Sequence, residues 1–147
     1  MPAIVLDAKE LHELARDMKG SDERMRAHAR KAVRKVALST EKRVKQEMPV
    51  DTGRARASWG RWSGGTNNPE ASEADSIWRT EDDGLTNVQG SNVPYIGALN
   101  DGHSQKAPAG FIDAAAEVAA EVLNEELAKI DPLRFDAAAE FGVEVTD

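Results

Sequence analysis

A run of apolar residues at helical spacing, closed by a proline, constrains this chain more than any other feature. Met25, Ala29, Ala32, Val33, Val36, Thr40 and Val44 recur at three- and four-residue steps. In an α-helix such steps place side chains on one face. Pro49 has no backbone donor, and the residue before a proline is steered away from helical geometry. The spacing therefore predicts one long helix over residues 22–48. The stripe is thin and rich in small residues, so another element can approach it closely. The opposite face carries Arg24, Arg30, Lys31, Arg34, Lys35, Lys42 and Arg43. Such a face is either simply solvated or a contact for DNA, although no aromatic residue is interleaved to stack on bases. After the stop, Asp51 and Thr52 can accept hydrogen bonds from free backbone N–H groups, and Gly53 permits a positive-φ change of direction. Pro49, Asp51, Thr52 and Gly53 are expected to form a structural turn.

Upstream, Asp7 reads as an N-cap, with Glu10 three residues later, for a first amphipathic helix bearing Leu11, Leu14, Ala15 and Met18. Gly20-Ser21-Asp22 breaks that stretch. Downstream, Ala55 to Trp62 is expected to open a strand, and residues 63–75, full of turn formers, an exposed loop. Ser76–Thr80 reads as a strand with Ile77 and Arg79 on one face and Trp78 on the other. A turn at 81–84 and a short strand at 86–90 complete a hairpin. Residues 94–99 suggest a single helical turn. A last helix is expected from Phe111, burying Ile112, Ala115, Ala116, Ala119, Val122, Leu123, Leu127 and Ile130, and ended by Pro132. The whole reads as an α+β fold: long N-terminal and C-terminal helices packed on a small, mostly antiparallel sheet. Residues 1–132 are expected to form a single domain, and 133–147 an acidic C-terminal tail.

Charge is unevenly spread. The 147 residues carry a formal net charge of -7, yet residues 22–47 hold nine Lys or Arg against four acids, and residues 110–147 ten acids against two bases. Two oppositely charged ends can attract each other within a subunit or between subunits, or be two solvated helix faces. The net charge argues against general nucleic-acid binding. There is no cysteine, so neither a disulfide nor a thiolate metal site can form. No apolar run reaches membrane-spanning length and no signal peptide opens the chain, so a soluble protein made in a cytoplasm is expected.

Asp101, His103 and Ser104 invite a catalytic reading. Neighbours in one turn do not make a nucleophile–base–orienter geometry, which usually draws on distant parts of a chain. No phosphate-binding glycine loop, paired carboxylates or metal-ligand spacing is present. The expectation is no enzyme, with no catalytic residue, metal or cofactor.

Three motifs in order carry a resemblance. They are Pro49-Val50-Asp51-Thr52-Gly53-Arg54, then Tyr95-Ile96-Gly97-Ala98-Leu99-Asn100-Asp101-Gly102, then Ala107-Pro108-Ala109-Gly110-Phe111-Ile112-Asp113. Together with the basic N-terminal helix, this series resembles the tail-component family of long-tailed bacteriophages, the neck and tail-completion proteins of the head–tail junction. Two departures stand out: Ala109-Gly110 separates Pro108 from Phe111, and Asn100-Asp101-Gly102 replaces an acid–glycine pair. The resemblance covers residues 5–128 and implies the same α+β fold. It implies a structural virion protein at the head–tail junction, assembled in the host cytoplasm. It implies a homo-oligomeric ring, hexamer favoured over dodecamer, between the head connector and the tail tube, as a tail-completion or tail-terminator layer. Neighbouring connector and tail proteins are its implied partners, genomic DNA passes without specific binding, and no membrane is involved. Candidate subunit-interface residues are Arg30, Lys31, Arg34, Lys35, Tyr95, Leu99, Phe111, Glu117, Glu121 and Glu125, with Glu126 beside them. The alternative is a small nucleic-acid-binding module using the basic helix 22–47, although no helix-turn-helix spacing is evident.

Overall fold

The computed structural model describes residues 2–8, 22–48, 53–102, 108–129 and 143–146. Pro49, Asp51 and Thr52 of the expected turn lie outside these residues. So do the stretch bearing Leu11, Leu14, Ala15 and Met18, and His103 and Ser104.

The fold is α+β. Strand β1 (Ala3–Asp7) is followed by helix α1 (Asp22–Glu47), a short helix α2 (Arg54–Ser58), strands β2 (Ser76–Glu81) and β3 (Thr86–Ser91), a short helix α3 (Ile96–Asn100), helix α4 (Phe111–Ala128) and strand β4 (Val143–Thr146). The four strands form one sheet in the order β2-β3-β1-β4, and all three pairings are antiparallel. The long helix stands where periodicity places it and the last helix starts at Phe111 as expected, while its expected end at Ile130 and Pro132 lies outside the described residues.

Two elements differ from expectation at the chain's ends. Asp7 is not a helix cap; it closes β1, opposite Thr86, whose hydroxyl donates to its carboxylate at 3.2 Å. Ala-Ile-Val-Leu is a short apolar run with β-branched Ile4 and Val5 at its centre, and Ile4 and Leu6 alternate inward to complete burial. Residues 143–146, expected within an acidic tail, pair instead with β1. The sheet thus lies only partly between the long helices: β2 and β3 do, whereas β1 and β4 bracket the whole.

The third difference follows the turn. Residues 54–58 form a helix, not the start of a strand. Gly53 takes φ +80° and its carbonyl accepts from Ala57 N–H at 3.0 Å. Ala55 and Ala57 suit a helix and bury against the core. Trp59 then leaves in extended geometry and is fully buried.

Both long helices lie over the face of the sheet that presents Ile4, Leu6 and Gln89. The two helices touch along their length, and Ala29, Ala32 and Val36 on α1 and Ala115, Ala116 and Ala119 on α4 are all buried. Small side chains let helix axes approach toward the short end of the usual 8–10 Å range. A buried polar link pins α1 to the sheet. Gln89 donates from Nε2 to the carbonyl of Ala37 at 3.0 Å and accepts from the Trp59 indole at 2.9 Å. A buried amide so satisfied adds position-specific bonds to an otherwise apolar core.

Candidate subunit interface

The outer faces of α1 and α4 carry the charge asymmetry. On α4, Glu117, Glu121 and Glu125 fall at four-residue steps and are exposed, so they form one acidic stripe about 12 Å long. On α1, Arg24, Lys31, Arg34, Lys42 and Arg43 are exposed. None of these five cations, and none of the three glutamates, has an ion-pair partner among the described residues. The two helices do exchange one pair across their seam. Lys35 Nζ meets Glu126 Oε1 at 2.7 Å, beside His28 Nε2 at 3.2 Å from the Glu126 carbonyl. The hydrogen bonds from Lys35 and Lys129 hold the Glu126 carboxyl below its ordinary range.

Arg30 is also occupied. It bridges Glu23 at 2.7 Å and Asp83 at 2.9 Å, tying α1 to the β2–β3 turn. The turn accommodates it because Gly84 has no side chain: a Cβ there would sit 2.9 Å from Arg30 Cδ. Arg30 and Lys35 thus spend their charge inside the subunit, whereas Lys31 and Arg34 keep theirs for the outside. Among the described residues Tyr95 is the exposed large aromatic one, at 40 % exposure, and Leu99 is half-buried against the core. Phe111, at 3 % exposure, belongs to the subunit's own core.

Between α1 and the β2 edge runs a groove of about 210 Å³, lined by Val33, Arg34, Ala37, Trp78, Thr80 and Asn87 among others. It lies on the flank of α1 turned away from α4. At its end Arg61 covers the Trp78 ring, 5.2 Å from guanidinium carbon to centroid. Arg61 is fixed from behind by Glu41, which is 5 % exposed and accepts from Arg61 N–H at 2.8 Å and from Nη2 at 2.6 Å. Burial works to raise the Glu41 pKa. The bonds from Arg61 and the charges of Lys45 and Arg61 outweigh it and hold the carboxyl below its ordinary range. Gly60 is required beside it: φ is +63°, and a Cβ would lie 2.6 Å from Glu41 Oε2.

Two further clamps were invisible in the sequence pattern. Arg54 grips Asp75 with two bonds, Nε at 3.0 Å and Nη2 at 3.1 Å, and reaches Glu70 at 3.4 Å. The 63–75 loop is thereby pinned to α2 at its far end, and the Arg54 bonds are the main cause that lowers the Asp75 pKa. Asn100 closes the start of α4. Its Oδ1 accepts from Ile112 N–H at 2.9 Å, its Nδ2 donates to Asp113 at 2.7 Å, and its carbonyl accepts from Gly110 N–H at 2.6 Å. Gly110, at φ +73°, turns the chain into the helix. The Asn100-Asp101-Gly102 segment thus has a structural use in this fold.

Comparison with known proteins brings no match: no family model, curated protein or solved structure is similar to the chain.

Proposed function

We propose that this chain is a structural subunit of a bacteriophage head–tail junction, which assembles as a ring between the head connector and the tail tube and lets DNA pass. The observation that carries the reading is the pair of oppositely charged, unpaired outer faces. Lys31, Arg34, Lys42 and Arg43 on one helix and Glu117, Glu121 and Glu125 on the other lack ion-pair partners among the described residues. A heterologous interface repeated around a closed ring would bring such faces together. Two helices on a small antiparallel sheet is also the architecture that the ordered motifs imply. A ring that conducts DNA gains little by gripping it, because each phosphate contact slows passage and makes it salt-dependent.

The test has two arms: native mass of the purified protein with micrographs of a virion neck, and titration of duplex DNA at physiological salt. Closed rings with no sub-micromolar DNA affinity support the reading. A monomer that binds duplex DNA below the micromolar range, and loses that binding when Lys31 and Arg34 are reversed in charge, replaces it with the nucleic-acid module.

A further inference from the structure

Among the described residues, the two outer edges of the sheet have no strand beside them, and they run in opposite directions. From Ile77 to Glu81, no backbone group of β2 bonds to anything but β3 among the described residues, and the outer edge of β4 has no strand beside it. Unpaired edges are templates for another strand. Because the sheet has four strands and every pairing is antiparallel, β2 and β4 are antiparallel to each other. A second copy set alongside, with its helices on the same side, therefore offers its β4 to β2 in the correct antiparallel sense.

Side chains fit the same arrangement. Register puts Trp78 and Val145 on the helix-covered face and Arg79 and Thr146 on the other. Val145 is half-buried beneath its own α4. An added β4 would bring it to the groove walled by Val33, Ala37 and Trp78. At about 210 Å³ that groove is below the 300–1,000 Å³ of typical small-molecule pockets and suits one or two side chains. Charge selects the partner edge. Beside β2, Arg34 has no ion-pair partner among the described residues, while Arg61 and Arg79 are held by Glu41 and Glu81; the helix over β4 bears the unpaired Glu117, Glu121 and Glu125. β2 against a neighbour's β4 brings Arg34 to that acidic stripe, whereas a twofold β2–β2 contact brings no such stripe to it.

We infer that copies of this chain join edge to edge, β2 of one extended by β4 of the next, with the α1–β2 groove receiving the incoming strand's side chains. The inference rests on the ring reading and specifies its contact. Backbone bonds supply the adhesion and the groove the register, as in other strand-addition interfaces.

The absence of native cysteine makes the test clean. Two double variants are made, Arg79→Cys with Thr146→Cys and Ile77→Cys with Thr146→Cys, which cover two registers on the face opposite the two long helices. Within one chain β2 and β4 are three strand spacings apart, about 14 Å, far beyond disulfide reach of about 7 Å between Cα atoms. Any bond therefore joins different copies. Under oxidation at least one double variant should give a ladder of multiples on a denaturing gel. Thr80→Cys with Thr146→Cys, on opposite faces, should give none. Native mass of the unmodified protein is read in parallel. A closed oligomer with no ladder from either pair overturns the edge contact and leaves the ring standing. A monomer with no ladder overturns both. Arg79→Cys alone, cross-linking as completely as the double variant, overturns the inference in favour of a twofold contact.

Discussion

Arg61 shows how one exposed cation can organise two layers. Its guanidinium covers Trp78 on the sheet, and its backbone and side chain together satisfy a carboxylate buried on α1. Arg61→Ala would leave Glu41 with fewer partners in a site it cannot leave. A loss of about 1–3 kcal/mol is expected, as for other charge-assisted hydrogen bonds, and is measured by denaturant unfolding. Gly60→Ala should cost a similar amount, about 1–3 kcal/mol, from positive-φ strain and the collision with Glu41. The pH dependence has a fixed sign. Glu41 and Asp75 both have depressed folded-state pKa values. Their stabilisation is present above the unfolded-state value and is lost as pH falls through and below about 4. In Arg61→Ala, a thermal melt series across that window should show a shallower acid loss than the parent. None of these partners is legible in the sequence, because Glu41 and Arg61 belong to no shared periodic pattern. The glycine between Trp59 and Arg61 is the nearest signal.

At the scale of elements, periodicity carried what was local. Helix α1 ends at Glu47, just before the proline, and α4 starts at Phe111, because their apolar steps and stops lie within a few turns of one another. The hairpin of β2 and β3 is local in the same sense. Strand β1 was missed because its pairing partners stand about eighty and one hundred and forty residues away, at 86–90 and 143–146. With five residues and no turn before it, only its apolar run, with β-branched Ile4 and Val5 at its centre, spoke for a strand. Helix α2 was missed because two tryptophans nearby suggested a strand, while Gly53 and the alanines set the backbone. The 63–75 loop is exposed as its composition implies, but its anchorage depends on Arg54, a residue in a different element. Arg54→Ala should release that anchor, and limited proteolysis should then cut within 63–75 several-fold faster than in the parent, with the α1–α4 pair still intact by circular dichroism.

For the whole molecule, the segregation of charge was read directly from residue counts, but which charges are spent inside the subunit was not. Structure assigns Arg30 and Lys35 to internal pairs and leaves Lys31 and Arg34 outward. Association through the outward charges should weaken with salt, since screening acts over about 8–10 Å at physiological strength. Sedimentation at 50 mM and 500 mM NaCl (about a threefold change in screening length) should show a smaller mean mass at the higher salt. Glu121→Lys combined with Arg34→Glu should recover association better than either change alone if the two faces meet.

Strand β1 lies between β3 and β4, so its inner partner is made early and its outer partner is the last described element of the chain. A chain lacking β4 can pack α1 and α4 together and pair β1 with β3, yet one side of β1 stays bare. Contacts so distant in sequence form slowly. A chain cut short before residue 143 would leave β1 itself as the terminal edge, pointing opposite to β4 and carrying different side chains. A subunit without β4 would thus be unfit for the same joint.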